Sequence, residues 1–275
     1  MATAVFVHPH PDDEAIFTGG SMRRAATLGW RVVLVVATGG EEGAMPDWVM
    51  VDAADHRRME TSAAADVLGV SELHYLGYRD SGMAGHHSNR AAGSLAASID
   101  AAATDLAALL QRVSADAVVG QDPQGIYGHP DHVAVHQVVS QAVAATGVAE
   151  HLEVTLDRQW LGDLRTRRIA EGRLRPEAWC AAGLAALGVA PCGSGWATGP
   201  DDPPAPLLRF DVTAEAQAKQ AAMAAHASQV PDALDFMGIP PGVFHHVVGH
   251  EWFLQRGAPG PLAAALGLDP VEAEP

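Results

Sequence analysis

Short apolar runs recur through the first half of the chain, and helical spacing separates them. Ala4 to Val7 reads as a buried strand, followed by a helix from about Asp13 to Leu28 that stops at Gly29. Arg31 to Ala37 (RVVLVVA) is a second buried strand, ending in Gly39-Gly40-Glu41-Glu42-Gly43. A helix from about Ala53 to Leu68 stops at Gly69, and Leu73 to Leu76 is a short third strand. Leu95 to Val113 reads as another helix, and Ala117 to Val119 as the core of a fourth strand. Pro130 opens a helix to about Ala145, in the first-turn position that proline tolerates. Strands alternating with helices of this length imply right-handed βαβ units and a parallel sheet.

The second half is less regular. Leu184 to Trp196 mixes alanine, glycine and proline, and Gly199 to Pro206 is a loop. Ala214 to Ala227 is expected to be helical, and Val243 to Leu254 alternates as a late strand or hairpin would. The expected class is α/β, a Rossmann-like, mostly parallel sheet flanked by helices, with an irregular C-terminal third. We expect one domain over 1–275, a core of about 1–150 with the remainder wrapping the sheet.

Composition narrows the function. With 48% hydrophobic and 18% charged residues the chain can bury a sizeable core. A net charge of −16 argues against nucleic acid or an anionic membrane as a partner. Cys180 and Cys192 sit in no CxxC pattern and read as ordinary thiols. The N-terminus carries no basic region, and no apolar run is long enough to span a bilayer, so a cytoplasmic location is expected.

Chemistry concentrates in two turns. His8-Pro9-His10-Pro11-Asp12-Asp13-Glu14 leaves the first strand, and Tyr127-Gly128-His129-Pro130-Asp131-His132 follows the fourth. Imidazole nitrogen and carboxylate oxygen suit a divalent cation such as Zn²⁺, and an adjacent second carboxylate can serve as a base. Each turn has a simpler account, in which an aspartate caps the following helix. Capping uses one aspartate and leaves the histidines and Glu14 unexplained. Turns at the ends of two strands are how an open α/β sheet assembles a site.

HPDDE near the N-terminus together with YGHPDH later resembles the PIG-L/LmbE-like metal-dependent N-deacetylases. The likeness extends to Gly40-Glu41-Glu42-Gly43, Arg57 with Glu60, Arg79-Asp80-Ser81-Gly82-Met83, Lys219, His226-Ala227-Ser228-Gln229 and Glu251-Trp252-Phe253, leaving about 150 to 210 unmatched. The resemblance implies that His10, Asp13 and His132 hold zinc, with Fe²⁺ as the alternative, and leave positions open for water and substrate. It implies Asp12 as general base and His129 as the imidazolium that stabilises the tetrahedral intermediate, oriented by Asp131. Tyr127 would donate to the developing oxyanion, and Arg57 and Asp80 would hold sugar or cyclitol hydroxyls.

Other histidines read more plainly. His8 is expected behind the ligands or in packing. His86 and His87 are expected in an exposed loop, and His245, His246 and His250 in hydrogen-bonded or solvated roles. Phe17 stands where the mycothiol-pathway relatives carry a small hydroxyl residue, which would make one pocket wall apolar. The expected activity is zinc-dependent removal of acetyl from an N-acetylglucosamine-type sugar conjugate, a small-molecule substrate. The alternatives are an amidase for a larger acyl group and a non-catalytic, metal-stabilised sugar-binding module. Asp12 beside the ligand Asp13 disfavours the module, which needs no base. A dinucleotide site is disfavoured because the first turn lacks GxGxxG and its carboxylates would repel a pyrophosphate.

Overall fold

A computed structural model describes residues 1–157, 163, 166–167, 170–171, 205–229 and 249–271. Its centre is an eight-stranded sheet. In chain order the strands are β1 (Thr3–His8), β2 (Arg31–Thr38), β3 (Glu72–Tyr78), β4 (Ala117–Gln121), β5 (Glu150–Thr155), β6 (Leu207–Asp211), β7 (His250–Arg256) and β8 (Asp269–Pro270). They lie in the order β3-β2-β1-β4-β5-β7-β6-β8. The first five pair in parallel, and the last three add in antiparallel. The helices are α1 (Asp13–Phe17), α2 (Gly19–Thr27), α3 (Ala53–Leu68), α4 (Ile99–Val113), the single turn α5 (Gly125–Gly128), α6 (Pro130–Thr146), α7 (Ala216–Ala225) and α8 (Pro261–Leu266).

The apolar runs are continuous because both faces of the sheet are covered. Val5, Val7, Val33, Val35 and Val118 pack with α4 and α6 on one face. Phe6, Leu34, Val36 and Val119 pack with α1, α2, α3 and α7 on the other. Asp52 starts α3 by accepting from Ala54 N–H at 3.0 Å and Asp55 N–H at 3.3 Å, and Gly69 ends it in a left-handed conformation, as expected. Among the described residues no helix is long and apolar enough to cross a membrane.

The structure departs from the sequence reading in several places. The helix expected from Asp13 to Leu28 is two helices broken at Thr18. The Glu251 carboxylate accepts from Gly20 N–H at 2.8 Å and from Ser21 N–H at 2.9 Å, fixing the first turn of α2 where a negative charge suits the dipole. Gly20 is needed there, since a Cβ would stand 2.4 Å from Val212 Cγ1. Gly20→Ala is expected to cost about 1–3 kcal/mol through overpacking, read as a fall in Tm. The helix expected from Leu95 begins at Ile99, β3 runs two residues further at its end than the apolar pattern, and α7 ends at Ala225. Strands β5 and β6 were not anticipated. Cys180, Cys192, 184–204, His245 and His246 lie outside the described residues.

Candidate metal centre and active site

The parallel strand order places β1 between β2 and β4, so the crevice of the sheet opens at the carboxyl ends of β1 and β4. The two histidine turns leave those ends, which is how residues more than a hundred positions apart meet. His10 Nδ1 lies 3.3 Å from Asp13 Oδ2, and His132 Nε2 lies 3.4 Å from the same oxygen. These three donors lie within 4.8 Å of one another, and all three residues are buried. His132 Nε2 has no hydrogen-bond partner, an orphaned buried nitrogen of the kind a metal ion would satisfy. Burial pulls the His132 imidazole down to about 3, against the pull of Asp13, so at neutral pH it is an uncharged ligand. Burial opposes ionisation of Asp13, but His132 and His10 outweigh it and hold the carboxyl well below its ordinary range. Two imidazoles and one carboxylate fit a divalent transition metal such as zinc.

Asp131 has a different place from the one expected. Its Oδ2 accepts from Ser81 N–H at 2.9 Å and lies 3.2 Å from His10 Nε2, so the carboxylate orients His10 and not the His129 ring. Its hold on His129 is through the main chain, since Asp131 N–H donates to His129 Nδ1 at 3.1 Å. The same bond makes His129 the N-cap of α6. Burial and the positive field of His10 pull His129 down to about 4, against Asp131 and Asp80. This environment favours the neutral imidazole of His129 near pH 7, whereas the resemblance implies an imidazolium. With Nδ1 accepting, its proton sits on Nε2, free to donate. The Tyr127 ring centroid is 4.8 Å from that of His132 and 6.0 Å from that of His129. Burial pushes the Tyr127 hydroxyl well above its ordinary value, so it stays a proton donor.

Asp12 stands beside the donor set on a backbone with φ 99, a region a non-glycine residue seldom visits. Its N–H donates to Glu14 Oε2 at 2.9 Å, and its carbonyl accepts from Ala15 and Ile16 N–H. Burial raises the Asp12 carboxyl to about 7, with Asp13 adding to the rise and Arg57 opposing it. Arg57 is buried, and two of its three guanidinium nitrogens are engaged within the protein. One guanidinium nitrogen donates to Pro11 O at 2.6 Å and reaches Asp12 Oδ2 at 3.3 Å, while another donates to Gly40 O at 2.7 Å. Arg57→Gln removes the charge that favours the ionised form of Asp12. The acidic limb of the pH–rate profile is then expected to move to higher pH, with a lower rate at pH 7.

Asp80 lies on the far side of His10, Oδ1 being 3.7 Å from His10 Nε2. Its carboxylate accepts from Gly82 N–H at 2.8 Å and from Glu42 N–H at 3.4 Å. His10, Asp80, His129 and Asp131 form a second group with donor atoms within 4.8 Å of one another. Phe17 sets its ring edge-on to that of His132, the centroids 6.2 Å apart. His86 and His87 are exposed, and the His250 ring lies 5.9 Å from that of Trp252.

Sequence reasoning gave Glu14, His226, Glu60 and Ser228 no role. Glu14 Oε1 meets His226 Nε2 at 2.5 Å in a fully buried pair, so the carboxylate that catches Asp12 N–H is itself held from the far end of the chain. Glu60 accepts from Ser228 N–H at 2.8 Å and from Ser228 Oγ at 2.6 Å. The one signal was that these residues fall inside the motifs of the resemblance.

Residues 5–143 match the family model described as PIG-L, GlcNAc-PI de-N-acetylase. A 1D-myo-inositol 2-acetamido-2-deoxy-alpha-D-glucopyranoside deacetylase from Salinispora arenicola is 34% identical over 283 residues, covering 96% of this chain and 88% of that protein. The chain belongs to the PIG-L family. It is an enzyme of the N-deacetylase type, a hydrolase of amides. The N,N'-diacetylchitobiose deacetylase of Pyrococcus horikoshii shares the fold with a TM-score of 0.58 and 22% identity, over 92% of this chain and 83% of that one. A 4-carboxy-2-hydroxymuconate hydratase from Pseudomonas putida shares it equally, with a TM-score of 0.59 and 17% identity over 95% of this chain and 98% of that one. The fold alone therefore does not select the chemistry.

Proposed function

We propose that this protein is a zinc-dependent deacetylase that hydrolyses the acetamide of a 2-acetamido sugar carried on a cyclitol or another small glycoside. The observation that carries the reading is the convergence of His10 Nδ1, Asp13 Oδ2 and the unpartnered His132 Nε2, with Asp12 beside them. The relatives named for deacetylation of an acetamidoglucosyl inositol supply the substrate class. One continuous sheet that includes β6 to β8 supports reading 1–275 as a single domain.

In this reading His10, Asp13 and His132 hold the metal. Zinc bound there would polarise the amide carbonyl and make water nucleophilic near neutral pH. Asp12 takes a proton from the attacking water as its oxygen bonds to the carbonyl carbon. His129 Nε2–H and the Tyr127 hydroxyl donate to the oxygen on which charge develops. Asp12 then delivers its proton to the departing nitrogen as the C–N bond breaks, releasing acetate and the amino sugar.

The direct test is amine release by zinc-loaded protein from an acetamidoglucosyl inositol, from N,N'-diacetylchitobiose and from an acyclic N-acetyl amine. Turnover of the sugars above the acyclic amine is expected. Turnover only of longer N-acyl amides would favour the larger-acyl amidase. Asp80 keeps lone pairs for a substrate hydroxyl, and a site paired to hydroxyls rejects ligands that lack them. Asp80→Ala is therefore expected to lose much of the preference for the sugar, as a ratio of kcat/KM values, at normal zinc content. An unchanged ratio would remove Asp80 from recognition.

A further inference from the structure

Behind the donor set runs a chain of side chains that the reaction does not use. His132 Nδ1 lies 3.2 Å from Gln121 Oε1, and Gln121 Nε2 lies 3.2 Å from His8 Nδ1. His8 Nε2 lies 2.8 Å from Thr18 Oγ1, which donates to Glu14 O at 3.2 Å. His8, Thr18, Gln121 and His132 are each 0% exposed, so water cannot substitute for any link.

Each link dictates the next. With the Thr18 hydroxyl donating to Glu14 O, its oxygen accepts from His8, which then carries its proton on Nε2, the tautomer that the facing Gln121 amide nitrogen also favours. His8 Nδ1 is then a bare acceptor that only the Gln121 amide nitrogen can satisfy. The amide is thereby oriented with its carbonyl toward His132, where it accepts the Nδ1–H. That leaves the His132 Nε2 lone pair bare and facing Asp13. With the amide reversed, His132 would carry its proton on Nε2 and donate it to Asp13, closing the donor set to a metal.

We propose that Gln121, His8 and Thr18 are positioning residues that fix the tautomer of His132 and so tune the affinity of the centre for its metal. Thr18 acts through three intervening bonds, from the break between α1 and α2 where no metal ligand lies. The break itself then has a use, since it presents the Thr18 hydroxyl to the end of β1. The inference rests on the ligand set proposed above.

The test is competition for Zn²⁺ against a chromophoric chelator, using full-length protein. Gln121→Leu is expected to weaken zinc binding by about 10–100-fold, the scale for losing an outer partner of a ligand histidine. Thr18→Val, which removes only the hydroxyl three bonds away, should weaken it by about 3–10-fold, less than the loss of a direct partner. Gln121→Glu should keep wild-type affinity or exceed it, because a carboxylate still accepts from His132 Nδ1–H. Its cost falls on His8, which must turn its proton to Nδ1. Long-range ¹H–¹⁵N NMR of the zinc-loaded proteins reads that difference directly, with His8 protonated on Nε2 in the wild type and on Nδ1 in Gln121→Glu. Should Gln121→Leu fail to fold, Thr18→Val and Gln121→Glu carry the test. Wild-type affinity in Thr18→Val, zinc binding in Gln121→Glu as weak as in Gln121→Leu, or His8 protonated on Nδ1 in the wild type would each overturn the proposal. If His132→Ala also keeps its zinc, the ligand set has failed. If that variant loses zinc while the outer variants keep theirs, the relay alone has failed.

Discussion

His132→Ala is expected to lose nearly all of its divalent metal on purification, and its deacetylase activity with it. Removing a ligand should exceed the 10–100-fold loss of affinity, roughly, that follows from removing a partner behind one. The experiment also separates two donor sets that share His10. One uses Nδ1 with Asp13 and His132, and the other gathers His10, Asp80, His129 and Asp131. In the second set Asp131 Oδ2 already accepts from Ser81 N–H, and it faces the His10 nitrogen opposite to the one near Asp13. In the first set His132 Nε2 has no competing partner. Elemental analysis of the variant beside the unaltered protein decides between them. Full occupancy after His132→Ala would move the metal to the second group.

Much of the parallel half of the fold was legible because its strands are buried on both faces and read as unbroken apolar runs. Both histidine turns were legible for a related reason. A strand end, a proline and clustered histidines and carboxylates lie within a few residues of each other. What escaped depends on contacts made far along the chain. Strand β5 reads EHLEVT, and three of its buried residues carry acid or imidazole side chains, so no apolar pattern announces it. Glu150 accepts from Leu262 and Ala263 N–H at 2.7 Å, capping α8, and Glu153 pairs with Arg256 at 2.7 Å. Both partners lie more than a hundred residues away. Strand β6 is a different failure, since Leu208 and Phe210 alternate with exposed residues at the period of a half-buried strand. The break at Thr18 had a local hint in Gly19-Gly20, but its cause is a carboxylate on β7.

The site shows the same division. The residue types of the donor set were visible, because a metal needs particular atoms and few side chains supply them. The partners that assign roles within the site were not. Arg57 was expected to reach for substrate; its three contacts within the protein, which the sequence did not announce, tie the Gly40 loop, the first histidine turn and Asp12 together. Asp131 was expected on the His129 ring, and its carboxylate serves His10. Both are consequences of where a side chain points, which spacing along the chain does not encode.

Asp12→Asn should keep its metal and lose turnover by about 10²–10⁴-fold, the range for removing a general base, or roughly 3–5 kcal/mol of barrier. Asparagine preserves the shape and tolerates positive φ better than most residues, so the turn and the neighbouring Asp13 should stay in place. What it cannot do is accept a proton from water. The pH profile gives a second, independent reading. A carboxyl raised to about 7 is active only when ionised, so the wild-type rate should be present above pH 7 and fall as the pH drops through it. In Asp12→Asn that limb should vanish, leaving the residual rate flat across the same interval. Metal content equal to wild type, combined with near-wild-type turnover, would take Asp12 out of the mechanism. Retention of the limb at a low rate would assign the ionisation to another group. The variant is informative because the carboxylate next to it, Asp13, is the one proposed to hold the metal. Only a paired measurement of zinc and rate can tell a lost base from a lost ligand.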